Sequence, residues 1–385
     1  MMEANFNMLA KTLSGLEEIL AQELRLLGAS DVKTGVRNVS FSGDTGFMYK
    51  ANLCCRTAIK ILKPITTFTV NDEEDLYNAV KSIDWDAYLK PTDTFAVHAT
   101  TTGEKFTHSK YVALKAKDAL VDQFRDKHGK RPNVDLKFPD LGIDIHIRYN
   151  RCTISLDSSG ASLHHRGYRT STNIAPINEV LAAGILLLSG GKGHTDFLDP
   201  MCGSGTMLIE AAMIACNIPA NLNRKQFGFE RWADWDPDLY EVIENAALKK
   251  VKEFHFTIKG FDRASSAVYK AQENIKNAQL EDFITVEQQD FFRTEKETER
   301  HLQMVFNPPY GERLAVDMED FYSKIGDTLK QNYPDTEAWF ITSNLEALKH
   351  VGLRTSRKIK LYNAKLESRL VKYDIYEGSK KGKKQ

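Results

Sequence analysis

From Thr195 onward, strand-like and helix-like stretches alternate, and this grammar constrains the fold more than any other feature of the chain. Short apolar runs read as strands at Thr195–Asp199, Phe256–Phe261, Ile284–Gln289, Gln303–Phe306 and Ala338–Thr342. Between them, apolar residues recur at helical spacing near Thr206–Cys216, Tyr240–Glu253, Ser265–Ala278, Met318–Gln331 and Leu345–Val351. Strands joined through helices pair in parallel, because a crossover needs the length of a helix. The expected fold is therefore α/β, with a doubly wound, mostly parallel sheet. Lys358–Tyr362 and Leu370–Tyr376 read as an antiparallel pair that closes it.

Such a sheet binds its ligand outside the carboxyl ends of its strands. The first strand runs into D-P-M-C-G-S-G-T, Asp199 to Thr206, and then a helix. Gly203 and Gly205 let backbone approach a ligand closely, and the helix start presents free N–H groups. Asp199, Cys202, Gly203, Ser204, Gly205 and Thr206 are thus candidate ligand contacts. No Lys-Ser/Thr pair follows the glycines, which argues against a phosphate-binding P-loop. The second strand ends in Asp262-Arg263, where a carboxylate can accept both hydroxyls of a ribose. The third ends in Asp290-Phe291, where Asp290 can accept an amino group of a base and Phe291 can flank its ring. Either acid alone is ordinarily a helix cap; their serial placement at strand ends favours a site. Cys202 at a helix start invites a nucleophile reading, but a small residue packed beneath the ligand fits the loop better.

The fourth strand ends in Asn307-Pro308-Pro309-Tyr310. N-P-P-Y at this place resembles the catalytic motif of class I S-adenosylmethionine-dependent amino-group methyltransferases, and D-P-M-C-G-S-G-T resembles their cofactor loop. The resemblance implies S-adenosylmethionine as cofactor, held by Asp199, Cys202, Gly203, Ser204, Gly205, Thr206, Asp262, Arg263, Asp290 and Asn307. It implies catalysis by Asn307, Pro308, Pro309 and Tyr310. The residue types suit that chemistry. The lone pair of a base amine is delocalised into the ring, so the amine is a poor nucleophile. The Asn307 side-chain oxygen and the Pro308 carbonyl can each accept an N–H from it, orienting the nitrogen for attack. The prolines hold both acceptors rigidly, and Tyr310 can stack on the base. A sulfonium methyl is already activated, so the reaction needs neither a metal nor a covalent nucleophile.

The N-terminal half has a different grammar. Thr45–Cys54 and His108–His128 read as helices, the second ended by Gly129. Ile143, Ile145, Ile147 and Tyr149 alternate with Asp144, His146 and Arg148, the period of a half-buried strand. A further strand is expected to end before Pro64. The stretch from Asp72 to Ser159 resembles a THUMP domain, an RNA-binding module, and the segment before it resembles the ferredoxin-like domain that accompanies THUMP. S-L-H-H-R-G-Y-R, Ser162 to Arg169, resembles the connector of the same group. Thr172 to Glu179 resembles the segment that packs beside the cofactor, and Leu361 to Leu370 its C-terminal hairpin. The implied organisation is a ferredoxin-like domain over 1–68, a THUMP domain over 69–160 and a Rossmann-like methyltransferase domain over 161–385.

The chain of 385 residues carries 52 Lys plus Arg and 52 Asp plus Glu, so it is no polycation. RNA contacts must then come from a local basic face, for which Lys110, Lys115, Lys117, Arg166 and Arg169 are the candidates. No apolar run approaches the length of about 18 residues that a membrane span needs. The cysteines are five and none forms C-x-x-C, which points away from zinc and disulfide frameworks and toward a cytoplasmic protein. The tail from Gly378 is lysine-rich and expected to be disordered. Taken with N-P-P-Y, the chain resembles the large-subunit ribosomal RNA guanine-N2 methyltransferases of the RlmL type, in their single-enzyme form. The rival expectations are guanosine-N2 methylation of transfer RNA, adenine-N6 methylation of nucleic acid, and a non-catalytic RNA-binding assembly factor.

Overall fold

The computed structural model describes residues 5–170, 176–191, 193–309, 317–363 and 366–376. The lysine-rich tail lies outside them. Two compact units result: 1–12, 20–163 and 224–246 form one, and 13–19, 164–223 and 247–385 form the other.

The first unit is built on one eight-stranded sheet. Its elements are β1 (Phe6–Lys11), α1 (Glu17–Leu27), β2 (Ser30–Gly35), β3 (Asn38–Gly43), α2 (Thr45–Cys54), β4 (Lys60–Thr69), α3 (Glu73–Lys81), β5 (Thr94–Thr102), α4 (Ser109–His128), β6 (Asn133–Val134), β7 (Leu141–Arg148) and β8 (Arg151–Asp157). The strand order is β2-β3-β1-β4-β8-β7-β5-β6. Strand β5 pairs in parallel with β6 and β7, and the other pairs are antiparallel. Ile143, Ile145 and Ile147 are buried as their alternation requires. Tyr149 leaves that pattern: it sits in the turn after β7 with φ 57° and stays 65% exposed. Strand β4 does not stop before Pro64. It runs on to Thr69, with a register shift between Pro64 and Thr66 that accommodates the missing N–H. Helix α4 presents Val112, Ala116, Leu120 and Phe124 to the core. It ends as expected where Gly129, at φ 65°, donates its N–H to the Arg125 carbonyl at 2.9 Å. The sequence reading did not separate residues 224–246 from the chain around them. They pack here through Phe229, Trp235 and Tyr240, which surround the ring of Tyr49 at centroid distances of 4.5, 5.1 and 6.1 Å.

The second unit contains α5 (Glu179–Leu188), β9 (Asp196–Asp199), α6 (Thr206–Ala215), β10 (Ile258–Asp262), α8 (Ser265–Asn277), β11 (Ile284–Gln288), β12 (Leu302–Phe306), α9 (Met318–Asn332), β13 (Thr336–Thr342), β14 (Arg357–Asn363) and β15 (Leu366–Ile375), while α7 (Pro237–Leu248) precedes β10. The sheet order is β11-β10-β9-β12-β13-β15-β14. The first five strands in that order are parallel, and β15 joins β13 and β14 antiparallel. This is the α/β sheet the alternation predicts, with its antiparallel closing pair. Helix α5 begins at Glu179, because the Asn178 side chain accepts the N–H groups of Val180 and Leu181. The expected last helix is a 3₁₀ turn over Ala347–Val351, followed by left-handed Gly352. Met304, Phe306, Tyr322, Ile325, Leu329 and Phe340 form the core between β12, β13 and α9.

Candidate active site

Strand β9 has β10 on one side and β12 on the other. The chain proceeds from β9 to β10 and β11 in one direction, then crosses back to β12. The loops leaving β9 and β12 therefore diverge at a topological switch point, where an open α/β sheet leaves a crevice. The glycine loop follows β9 and Asn307-Pro308 follows β12, so the two motifs are neighbours by topology.

The loop is fixed by its own backbone. Gly205 caps α6 at φ 80°, a left-handed conformation that favours glycine. Its N–H donates to the Cys202 carbonyl at 2.9 Å, and the Cys202 N–H donates to the Phe261 carbonyl at 2.8 Å. Gly260 on β10 is needed for close approach, since a side chain there would meet Leu208 at 2.4 Å and Cys202 at 3.3 Å. Asp262 Oδ2 accepts the Gly203 N–H at 3.1 Å, while Oδ1 accepts the Ala264 N–H at 2.9 Å. The second strand end is thereby tied to the loop of the first.

Asp199 is buried and accepts one N–H, from Met201 at 3.1 Å. Burial first, then the neighbouring Asp262 charge, push its carboxyl up to about 8. The Cys202 thiol is pushed well above its ordinary range by burial and by the two acids. It packs as a small apolar group against the loop, and the nucleophile reading falls.

Asn307 is partly buried, and its Oδ1 has no hydrogen-bond partner among the described residues although the atom itself is sealed from solvent. A buried carbonyl oxygen left without a donor costs about 1–3 kcal/mol. Such an atom in a native fold calls for an explanation, and a ligand donor is one. Pro308 is buried behind it and Pro309 half-buried. Tyr310 lies outside the described residues.

Residues 166–372 match the family described as RMKL-like, methyltransferase domain. Residues 70–157 match the THUMP domain, and residues 7–62 match the RlmL ferredoxin-like domain. A Synechocystis protein named as an RNA methyltransferase is 37% identical over 94% of this chain and 95% of its own length. The ribosomal RNA large subunit methyltransferase K/L of Cellvibrio japonicus is 38% identical over 94% of this chain, which spans 50% of that protein. Among solved structures, a methyltransferase designated SMU.472, complexed with S-adenosylhomocysteine, superposes with a TM-score of 0.86 at 30% identity. It covers 98% of this chain and 100% of its own.

The chain belongs to the RMKL-like methyltransferase family.

Within the methyltransferase domain, the other expected residues fare differently. Arg263 is exposed, and its carbonyl accepts from the Gln288 side chain at 3.1 Å. Asp290 accepts the Phe292 N–H at 3.2 Å and caps a 3₁₀ turn, the ordinary role of such an acid. The ring of Phe291, expected beside a base, belongs to the core. It is buried against Phe306 and Tyr333, at centroid distances of 6.0 and 5.6 Å, and only Phe292 is half-exposed.

The two connector arginines require a correction. Arg166 is not free to touch RNA, because its side chain is fully buried. Its Nε faces Glu210 at 3.3 Å and one Nη donates to Asn221 at 3.1 Å. Tyr168 donates to the same Glu210 oxygen at 3.1 Å. Arg169 is mostly buried as well, donating to the Thr206 hydroxyl at 2.6 Å and the Ile177 carbonyl at 2.9 Å, with Glu179 at 3.3 Å. Burial pushes the Glu179 carboxyl up to about 7 against the pull of Arg169. This charged cluster was missed by sequence reasoning, which treated the connector as solvated.

The lysines of α4 are exposed or partly so, but do not form one face. Lys110 is exposed, Lys115 pairs with Glu74 at 3.9 Å and lies over the Tyr77 ring, and Lys117 pairs with Asp118 at 2.7 Å. Among the described residues, no helix is long and apolar enough to cross a membrane.

Proposed function

We propose that the chain is an S-adenosylmethionine-dependent RNA methyltransferase acting on the exocyclic N2 amine of a guanosine in large-subunit ribosomal RNA. The single observation that carries the reading is the orphaned, buried Asn307 Oδ1 at the switch point beside the glycine loop. It is an acceptor placed for an N–H that no described residue supplies.

The residues fit the cofactor. Gly203, Ser204, Gly205 and Thr206 form a backbone cradle at the start of α6, where N–H groups favour negative charge such as a carboxylate. Asp262, tied to the loop at the next strand end, stands for the ribose, and Asp290, whose Oδ1 caps the turn after β11, has its second oxygen for the base. When bound, S-adenosylmethionine supplies a sulfonium methyl that is electrophilic without further activation. The protein's contribution is then positional. Asn307 Oδ1 and the Pro308 carbonyl accept the two amine hydrogens, which holds the nitrogen in line and favours the tetrahedral geometry of attack. The two prolines, Pro308 buried and Pro309 half-buried, keep both acceptors from turning away. The target base must leave its stack to reach them.

RNA over DNA rests on the matched THUMP domain and on the names of the Synechocystis and Cellvibrio relatives. With both connector arginines buried, we place the RNA contacts on Lys110 and on the loop before β7. There Lys130, Arg131 and Lys137 stand exposed beside Leu136 and Phe138, themselves 70% and 67% exposed. Basic groups interleaved with an exposed aromatic suit a nucleic-acid strand.

The test is nucleoside analysis of RNA from a strain lacking the gene, with ribosomal and transfer RNA fractionated first. Loss of N2-methylguanosine from the large-subunit fraction is the expected result. Loss from transfer RNA, or loss of N6-methyladenosine, would move the substrate; an unchanged profile with no cofactor binding would favour an assembly factor.

A further inference from the structure

We infer that Asn274 and Arg169 are positioning residues for the cofactor loop, so that the connector 164–170 is a working part of the site. The inference rests on the cofactor reading above. Asn274 lies on α8, wholly buried. A buried carboxamide in a helix interior is costly unless both of its ends are satisfied. Here the two ends serve two different segments. Nδ2 donates to the Ser204 carbonyl at 3.0 Å, in the middle of the glycine loop, and Oδ1 accepts the Thr170 N–H at 3.2 Å, in the connector. Asn277, three residues on, donates to the Thr170 hydroxyl at 2.8 Å.

The same face of α8 explains why the loop can come so near. Ala267, Ala271 and Asn274 are buried at positions i, i+4 and i+7. Ala271 lies directly under Gly205, where an added side chain would meet it at 3.2 Å. Helix α8 is therefore a floor for the loop, and Asn274 fastens it to Ser204. From the other side, Arg169 fastens Thr206, the first residue of α6. Its planar fork also reaches the Ile177 carbonyl and faces Glu179, so it cannot move without breaking several contacts. Arg166 and Tyr168 meet Glu210, one turn beyond Thr206 on α6. The glycine loop is thus clamped between α8 and the connector by side chains that lie behind it. Such support decides whether backbone N–H groups are preorganised for a ligand or must be ordered when it binds.

The experiment measures S-adenosylmethionine affinity by calorimetry, with kcat and KM for cofactor and a thermal melt on the same samples. Asn274→Asp keeps the volume and the acceptor for Thr170 but removes the donor to Ser204. Asn274→Ala removes both, and Arg169→Lys keeps the charge but not the fork. All three are expected to raise cofactor Kd and KM about tenfold, the worth of one or two hydrogen bonds. The kcat at saturating cofactor should stay within about twofold. A merely structural role would lower the melting temperature and leave Kd and KM of the folded protein unchanged, and that outcome overturns the inference. Because Asn274→Asp and Arg169→Lys are close in volume to the native residues, either can be read if Asn274→Ala does not fold. Wild-type protein that binds no cofactor at millimolar concentration would instead overturn the cofactor reading, and this inference with it.

Discussion

Two sets of basic residues look alike in the sequence and differ in the fold. The connector of the second unit offers Arg166 and Arg169, and α4 of the first unit offers Lys110, Lys115 and Lys117. Both sets sit in polar surroundings of similar composition. Yet Arg166 is sealed against Glu210 and Asn221, whereas Lys110 is open to solvent. The difference teaches where polar groups act through geometry and where they act through charge. In the second unit the important ones are buried, so substitution should change folding or turnover by large factors. In the first they are solvated, so substitution should change only salt-dependent affinity.

The largest effect is expected at the buried end of this comparison. Arg166→Ala strands Glu210 without its cation, and breaking a buried pair from one side costs about 3–5 kcal/mol. Chemical denaturation should show the loss as a lower midpoint. Replacing both partners together, Arg166→Met with Glu210→Met, should recover much of it, because no unpaired charge then remains. Lys117→Ala, at a partly exposed pair, should leave the midpoint almost unmoved. Equal effects at the two sites would erase the distinction.

A second test uses a polar group that is buried but unpaired. Asn307→Ala removes an acceptor that no described residue satisfies. It should therefore cost little folding stability, unlike Arg166→Ala. Turnover should fall about 10²–10³-fold, the scale seen when one preorganised electrostatic group is lost. Cofactor affinity should stay within a few-fold, because the acceptor works mainly in the transition state. Single-turnover kinetics at saturating cofactor checks the first, and calorimetry the second. Wild-type turnover in the variant would remove Asn307 from the reaction.

The contrast also explains what the sequence disclosed. The single strands and helices of the parallel sheet, the glycine loop and Asn307-Pro308 at a strand end are local signals, each written in a short stretch of sequence. The burial of Arg166 is not local: its partner Glu210 is 44 residues away. The same holds for Tyr49 and the aromatic residues of 224–246, which meet although nearly half the chain's length separates them in sequence. Strand β4 runs through Pro64 because a register shift against β8 accommodates the missing N–H. Tyr149 continued an alternation that the backbone abandons at its turn. Except at that turn, a distant partner overrides the local pattern.

A third prediction concerns pH. The folded Asp199 carboxyl stands at about 8 against an ordinary 3.8, so folding takes up a proton there. Its contribution to stability is full below about pH 4 and lost as pH rises toward 8. The cationic groups of S-adenosylmethionine nearby would favour the ionised form and draw the pKa down. Cofactor affinity should then climb from pH 6 to about 8 and level off, by at most about tenfold per unit. Calorimetry at pH 7 in two buffers of different ionisation enthalpy should register proton release on binding. Asp199→Asn should abolish both the release and this rise. A flat affinity profile in the wild type would mean that Asp199 does not face the cofactor's charge.

The smallest effects belong to the first unit, and they are visible only through salt. A protein that neutralises phosphates releases counterions, and each lost contact flattens the salt dependence of binding by about 0.7–0.9 in logarithmic slope. Lys130, Arg131 and Lys137 are exposed around Phe138, whose backbone carbonyl is held by Arg231, so the loop is presented on a fixed support. Changing those three residues to alanine should reduce the slope by about two units for structured ribosomal RNA, if all three meet phosphates. Phe138→Ala should weaken affinity without changing the slope, since stacking releases no counterion. Lys110→Ala should remove about one contact, whereas Lys115→Ala should remove almost none, because its ammonium is already turned to Glu74 and Tyr77. Fluorescence anisotropy across a salt series reads all of these, with cofactor affinity expected to stay constant throughout. If the loop variant kept the wild-type slope while Lys115→Ala lowered it, the RNA would lie on the α3–α4 side of the unit. Exposure alone would then be no better a guide to phosphate contacts than composition was for the arginines.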